Sequence, residues 1–133
     1  MTSFVGVRAR YARRSGFAVS GDRIALNGLA RILRGDASAD AAEVLLQPGS
    51  EAAPYEEFMS KLVVRHDSGR VSVTKKLDEV LITGSPQHLR LLAENIEALA
   101  DDAEGDRHLH VEYYPDHFYL DQSSEPLVIE LES

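Results

Sequence analysis

His108, His110 and Glu112 alternate with Leu109 and Val111 in the last third of the chain. Extended backbone sends successive side chains to opposite faces, so on a strand these three share one face while Leu109, Val111 and Tyr113 share the other. Two imidazoles and a carboxylate side by side form a donor set for a first-row metal ion with coordination positions left open. The same spacing also describes an ordinary strand whose apolar face packs inward and whose imidazoles are solvated or paired across strands. Directly after it, Tyr113, Tyr114, Pro115, Asp116, His117, Phe118 and Tyr119 concentrate aromatic side chains in a loop-like stretch. Such aromatics either fold inward as a lid on the core or stay outward as anchors for a protein partner.

Other chemistries lack their residues. The chain has no cysteine, which removes disulfides, thiolate zinc sites and cysteine nucleophiles. Gly16, Gly21 and Gly28 are too dispersed for a phosphate loop, and no G-x-S-x-G elbow occurs. His66 and Asp67 read as a polar turn, and His88 as a surface residue. No enzyme and no cofactor are expected.

Periodicity outlines the elements that must position these residues. Between residues 86 and about 102, Leu89, Leu92, Ala93, Ile96, Leu99 and Ala100 keep the i, i+3, i+4, i+7 spacing of a one-sided helix. Ser85 suits its N-cap, Pro86 its first turn and Gly105 its exit. Residues 77–83 are apolar on both faces and read as an interior strand; 107–113 and 127–132 read as two more. Residues 62–64 and 71–73 read as a hairpin turning at Asp67, Ser68 and Gly69. In the first third, residues 4–11 read as a strand with one basic face, 17–20 as a brief extended piece and 43–47 as a short strand. A shorter helix over about 22–34 carries Leu26, Leu29, Ala30 and Leu33, with Asp22 or Ser20 as cap and Gly35 as stop; Gly28 inside it is unfavourable. The prediction is an α+β fold: a mostly antiparallel sheet, one long amphipathic helix (about 86–102) packed on it and a shorter N-terminal helix (about 22–34). Residues 1–133 make a single domain, with 1–50 as a candidate N-terminal subdomain and 55–133 as the strand-helix-strand core.

Leu29, Ala30 and Leu33 after Gly21 echo Leu92, Ala93 and Ile96 after Gly84. No fixed period extends further, so a generic strand-to-helix pattern is preferred here to a duplication.

Charge is unevenly placed. Residues 1–34 hold seven arginines against Asp22 alone, and from Leu91 onward Arg107 is the single cation against twelve acids; the net charge is −8. A surface this negative repels nucleic acid and attracts basic proteins. The N-terminal arginines are expected to dock on the acidic body, within the molecule or in a second copy, rather than on nucleic acid. No apolar run approaches the roughly 18–20 residues that span a bilayer, so no membrane partner and a cytoplasmic location are expected. The arginines of the first twenty residues resemble a transit peptide only faintly.

Residues 71–131 resemble a family of small bacterial immunity proteins from polymorphic toxin systems, immunity protein family 32. The likeness is carried by Leu81-Ile82-Thr83-Gly84, by the helix with Leu89, Leu92, Ala93 and Leu99, by His108-Leu109-His110-Val111-Glu112, and by Ser124-Glu125-Pro126-Leu127-Val128-Ile129-Glu130. Residues 1–54 and 114–119 do not map onto it. The resemblance implies a protein that binds and blocks a cognate toxin, with a basic toxin as the partner of the acidic half. Candidate contacts are Asp101, Asp102, Glu104 and Asp106 at the helix exit, with Tyr113, Tyr114, Asp116 and Tyr119. Two other readings are a metal-binding protein or metal-dependent enzyme built on His108, His110 and Glu112, and a regulatory or scaffold subunit that self-associates into a homo-oligomer through its basic N-terminus.

Overall fold

In the computed structural model, which describes residues 2–35, 41–49, 51–102, 107–117 and 119–132, α1 spans Arg23–Arg34 and α2 spans Pro86–Asp101. Both helices start at the capping residues expected and α1 stops at Gly35, whereas α2 has Asp102 as its C-cap and Gly105, its expected exit, lies outside the described residues. Asp22 accepts from the Ala25 N–H at 2.8 Å, and Gly35 ends α1 at φ 75°, a backbone region open to glycine. Ser85 accepts from the His88 N–H at 3.2 Å, with Pro86 following in the first turn. The apolar stripes read from the sequence are the buried ones: Leu26, Leu29, Ala30 and Leu33 on α1, and Leu89, Leu92, Ala93, Ile96, Leu99 and Ala100 on α2. The two helices pack on each other more extensively than on any strand.

The strands are β1 (Thr2–Phe4), β2 (Arg8–Ala12), β3 (Gly16–Gly21), β4 (Ala41–Leu45), β5 (Glu57–Phe58), β6 (Lys61–His66), β7 (Ser72–Lys76), β8 (Glu79–Gly84), β9 (His108–Val111) and β10 (Leu127–Leu131). They form two five-stranded sheets, ordered β1-β4-β6-β8-β7 and β5-β2-β3-β10-β9. The α+β class holds, but there are two sheets rather than one. Each sheet is mixed: β1/β4, β6/β8 and β3/β10 are parallel pairs and the remaining neighbours are antiparallel. Strands from both sides of residue 50 enter both sheets, and the inward faces of sheets and helices meet in one hydrophobic cluster.

Two local expectations are corrected. β6 and β7 do not form a hairpin, because β8 lies between them, parallel to β6 and antiparallel to β7. The turn at Asp67, whose carboxylate accepts from the Gly69 N–H, instead links strands that are not neighbours. Leu77 is not part of the interior strand. It sits between Lys76 and Glu79, which pair directly, with φ 56° and 83% of its surface exposed. A branched side chain at positive φ is unfavourable, and an apolar residue at a hairpin tip gives the alternating pattern a false first position. From Glu79 onward β8 is interior, with Val80 and Ile82 buried.

The echo between the two helices extends through the fold. β2, β3, α1, β4 and β6 repeat as β7, β8, α2, β9 and β10. In each set a hairpin leads into a helix, the helix delivers the chain to the other sheet, and two antiparallel strands there place one strand parallel to the other set's hairpin. Register pairs Lys61–His66 with Glu79–Gly84 and Leu127–Leu131 with Phe17–Gly21. Gly21 and Gly84 are equivalent, each preceding a helix cap and each abutting a valine just before a strand. A Cβ on Gly21 would lie 3.1 Å from Val7 Cγ1, and one on Gly84 would lie 3.1 Å from Val71 Cα. The echo, which the sequence left as a generic pattern, is thus accompanied by a repeat of topology. Exchange hides it, because each unit's two halves lie in different sheets.

Val71 cannot yield cheaply to a larger neighbour, since its N–H donates to Tyr119 O and its carbonyl accepts from Asp121 N–H, both at 2.7 Å. Gly84→Ala is expected to destabilise the protein by about 1–3 kcal/mol, the range for a group forced into filled space. A lowered urea midpoint with unchanged slope would show it, and an unchanged midpoint would refute the packing constraint.

Candidate partner-binding surface

The acidic end of α2 carries an electrostatic cost. Asp101 and Asp102 are exposed at its C-terminus, where the helix dipole disfavours negative charge, and its last turn holds no basic residue. Arg23, at the start of α1, donates through Nε to Ala100 O at 3.1 Å and supplies a cation that α2 lacks. On the same helix Arg34 pairs with Glu97 and holds that carboxyl below its ordinary pKa. Glu104 and Asp106 lie outside the described residues.

Two of the N-terminal arginines, Arg8 and Arg10, pair with acids inside the molecule. On β2, Arg10 reaches Glu130 at 2.8 Å and Arg8 reaches Glu132 at 3.6 Å, with β3 between them and β10. The Arg10 guanidinium also lies 4.7 Å from the Tyr55 ring centroid. The strand expected over residues 4–11 is divided between β1 and β2, and the arginines of β2 meet acids on β10 and just past its end.

β9 places the histidines as alternation predicts. His108 and His110 share one exposed face with ring centroids 6.5 Å apart, while Leu109 is half-buried and Val111 buried. His108 Nε2 lies 3.4 Å from Glu130, a cross-strand pairing. Glu112 falls past the end of the strand, so alternation no longer governs it. Among the described residues no group of three or more His, Asp or Glu side chains converges in a geometry that could hold a metal ion.

The aromatic stretch divides between the two roles the sequence left open. Tyr113 and Tyr114 point outward, 38% and 52% exposed, and Asp116 is exposed at φ 68°. Tyr119 folds inward, 6% exposed, with its hydroxyl accepting from Asn95 on α2 at 3.0 Å; burial pushes its pKa up. It therefore stands in the candidate set as an anchor of the segment rather than as a projecting contact. Phe118 lies outside the described residues.

The residue that organises this segment is His117, to which the sequence reading gave no such role. It is 7% exposed, and its Nδ1 accepts from the Tyr119 N–H at 3.2 Å and the Leu120 N–H at 3.0 Å. Its ring packs 4.7 Å from both Tyr114 and Tyr119, and Arg70 donates to its carbonyl at 3.1 Å. A ring nitrogen that accepts two N–H groups cannot carry a proton, so the neutral form is required. Burial, with the Arg70 charge, lowers its pKa accordingly. The sequence signal was only the position of a histidine among aromatics. Beside these residues runs an open groove of about 460 Å³. Its walls are Leu109, His110 and Glu112, then Asn95 of α2, then Tyr114, His117 and Tyr119.

Comparison with known proteins bears on this half of the molecule. Residues 79–132 match the family model described as Immunity protein 32. The resemblance read from the sequence is thus found from the first residue of β8 to just past β10. The Immunity protein 32 match includes α2, β9, the groove and the aromatic segment, and it leaves β1 to β7 outside. No curated protein and no solved structure matches the chain. None of the helices among the described residues is long and apolar enough to cross a membrane.

His117 sets a pH dependence. Its folded pKa lies below the ordinary value of 6.5, so the unfolded chain takes up the proton first as pH falls. Its stabilising effect is complete above about pH 6.5 and is lost as pH drops through the lowered pKa. His117→Asn should lower the melting temperature at neutral pH yet flatten its decline in acid. Parallel melting curves for the two proteins across that range would remove the histidine from this role.

Proposed function

We propose that the protein is a non-enzymatic immunity protein that binds a cognate bacterial toxin and blocks it, through the acidic surface of its second half. The observation that carries this reading is the Immunity protein 32 match over residues 79–132, the part that also contains the acidic helix exit and the aromatic segment. Charge supports it. The arginines on β2 are paired with Glu130 and Glu132, so the cations of the N-terminal third are partly consumed inside the molecule. The remaining excess, reflected in the net charge of −8, is negative.

A toxin that acts on nucleic acid needs a basic cleft to hold phosphates. An acidic protein surface complements such a cleft, accelerates encounter by long-range attraction and discriminates against wrong partners. Asp101, Asp102, Glu104, Asp106 and Asp116 would supply the charge, and Tyr113 and Tyr114 the contact area that fixes the dock. Tyr119 would hold the segment in place beneath them. The cytoplasm, where such a toxin reaches its target, is the place of action in this reading.

Co-production with the toxin encoded beside its gene should restore growth, and the purified pair should form a stable complex. Replacing Asp101, Asp102 and Glu104 together by lysine should slow association about tenfold or more at low salt and flatten its salt dependence. Association kinetics unchanged by the triple replacement would remove the acidic surface from the mechanism. Absence of both complex and protection would remove the immunity reading itself.

A further inference from the structure

The internal repeat supplies a comparison within one chain, and its most informative feature is a difference. β4 and β9 are equivalent strands: Ala41 faces Arg65 and Val44 faces Leu62, as His108 faces Glu130 and Val111 faces Leu127. The edge of β4 that turns away from β6 is covered by β1, which runs parallel to it with Thr2 opposite Glu43, Ser3 opposite Val44 and Phe4 opposite Leu45. The corresponding edge of β9 has no strand on it among the described residues, and β9 ends its sheet.

The hydrogen-bond phase shows which groups lie on that edge. Leu131 N–H donates to Arg107 O at 2.8 Å, so these opposite residues form a hydrogen-bonded pair. Pair types alternate along an antiparallel ladder, which puts Leu109 and Val111 in bonded pairs and directs the backbone N–H and C=O of His108 and His110 away from β10. An edge strand with such groups is a template for another strand, and proteins usually blunt it with lysine, proline or a bulge. Residues 108–111 are His, Leu, His and Val.

Space and charge agree with the backbone. The groove of about 460 Å³ is lined by residues from both faces of β9, Leu109 and His110, so it follows the strand's edge rather than one of its faces. Its far wall is Tyr114, His117 and Tyr119, in the connection from β9 to β10; the connection of equal length from β4 to β6 in the first unit instead adds β5 to the second sheet. Glu112 is the one carboxylate lining the groove, and no lysine or arginine lines it among the described residues.

The geometry points to the open edge of β9 as the docking site for an extended basic segment of the toxin, which adds to the second sheet as a parallel strand in the way β1 adds to the first. Backbone bonds to His108 and His110 hold the segment, and apolar contacts to Leu109 and Tyr114 together with the charge of Glu112 select its side chains. This mode of binding rests on the immunity reading proposed above.

His110→Pro tests it, because proline removes an N–H that points off the edge and costs no bond to β10. His110→Val is its partner variant, since it alters the side chain and leaves the backbone donor. With the toxin shown to bind the unmodified protein, His110→Pro should weaken binding about tenfold or more, the effect expected for a lost backbone bond and a blocked strand, while His110→Val, which keeps the donor, should weaken it distinctly less. Circular dichroism and a melting curve establish that the proline variant is folded. Independently of any substitution, the amides of His108 and His110 should exchange with solvent more slowly in the complex than in the free protein.

Toxin binding that survives His110→Pro with unprotected amides, but is lost on reversing Asp101, Asp102 and Glu104, overturns the strand dock and leaves the immunity reading standing. Equal losses in His110→Pro and His110→Val overturn it in favour of a side-chain contact. A dimer of the unmodified protein that His110→Pro converts to a monomer assigns the edge to a second copy instead. If the unmodified protein binds no toxin at all, the immunity reading fails and the strand dock falls with it.

Discussion

The parallel pairing of β6 with β8 and of β10 with β3 is the constraint on which the rest of the molecule depends. Each pair joins a strand from one repeat to a strand from the other, so neither unit can complete a sheet by itself. The residues matched by the Immunity protein 32 model illustrate the point: β8 lies in one sheet, while β9 and β10 lie in the other against β3. Parallel strands also require covered faces, and the two helices, packed together, contribute their buried stripes to the cluster that both sheets share. The valine–glycine contacts at Val7 with Gly21 and Val71 with Gly84 bring each hairpin close enough for its helix to leave in the right direction. Pairing of this kind joins residues far apart in sequence, and loop closure must precede its reward, so slow folding is the natural consequence.

Departures from the internal symmetry are where specific function has room. A framework needs the repeated elements, but it does not need β1 on one edge and none on the other, nor an aromatic segment in one unit alone. In the first unit, Gly28 lets the N-terminal segment lie against α1, since a Cβ there would come within 3.1 Å of Val5. Leu91 holds the corresponding place on α2. In the second unit, Tyr119 and His117 instead bind the aromatic segment to α2 and to its own backbone. The connection after β4, equal in length to the one after β9, departs in what it carries: it adds β5 to the second sheet and brings Tyr55 against Arg10.

Electrostatics follows the same division. Arg8 and Arg10 meet Glu132 and Glu130 across a shared sheet, and Lys75 meets Glu57 between the sheets. Tyr11 donates to Glu125 at 2.6 Å, and that hydrogen bond raises its pKa to about 12, so it remains a donor throughout the neutral range. Partly exposed pairs of this kind contribute little each to stability, of the order of 1 kcal/mol or less. Their larger effect is to settle where some of the cations of the first third are spent.

The sequence by itself determined what is local. Both helices, their caps at Asp22 and Ser85, their buried stripes, the burial of Val80 and Ile82, the shared face of His108 and His110 and the family resemblance were all legible, because 3.6-residue and two-residue periodicities are written in consecutive side chains. It overreached where a local pattern continued past the end of an element. Leu77 extended an apolar run into a turn, and Glu112 and Tyr113 extended an alternating strand by two positions beyond its end. Only the tertiary structure decided which strands are neighbours. The turn at Asp67 looks like a hairpin whether or not β8 comes between its arms, and nothing in residues 62–73 records the insertion of a later strand. The topological repeat was visible only as an echo, because its equivalent elements share apolar pattern and glycine placement more than residue identity. The inward turn of His117, and the open edge beside it, likewise depend on what distant segments bring within hydrogen-bond distance, and that distance is fixed by packing rather than by order along the chain.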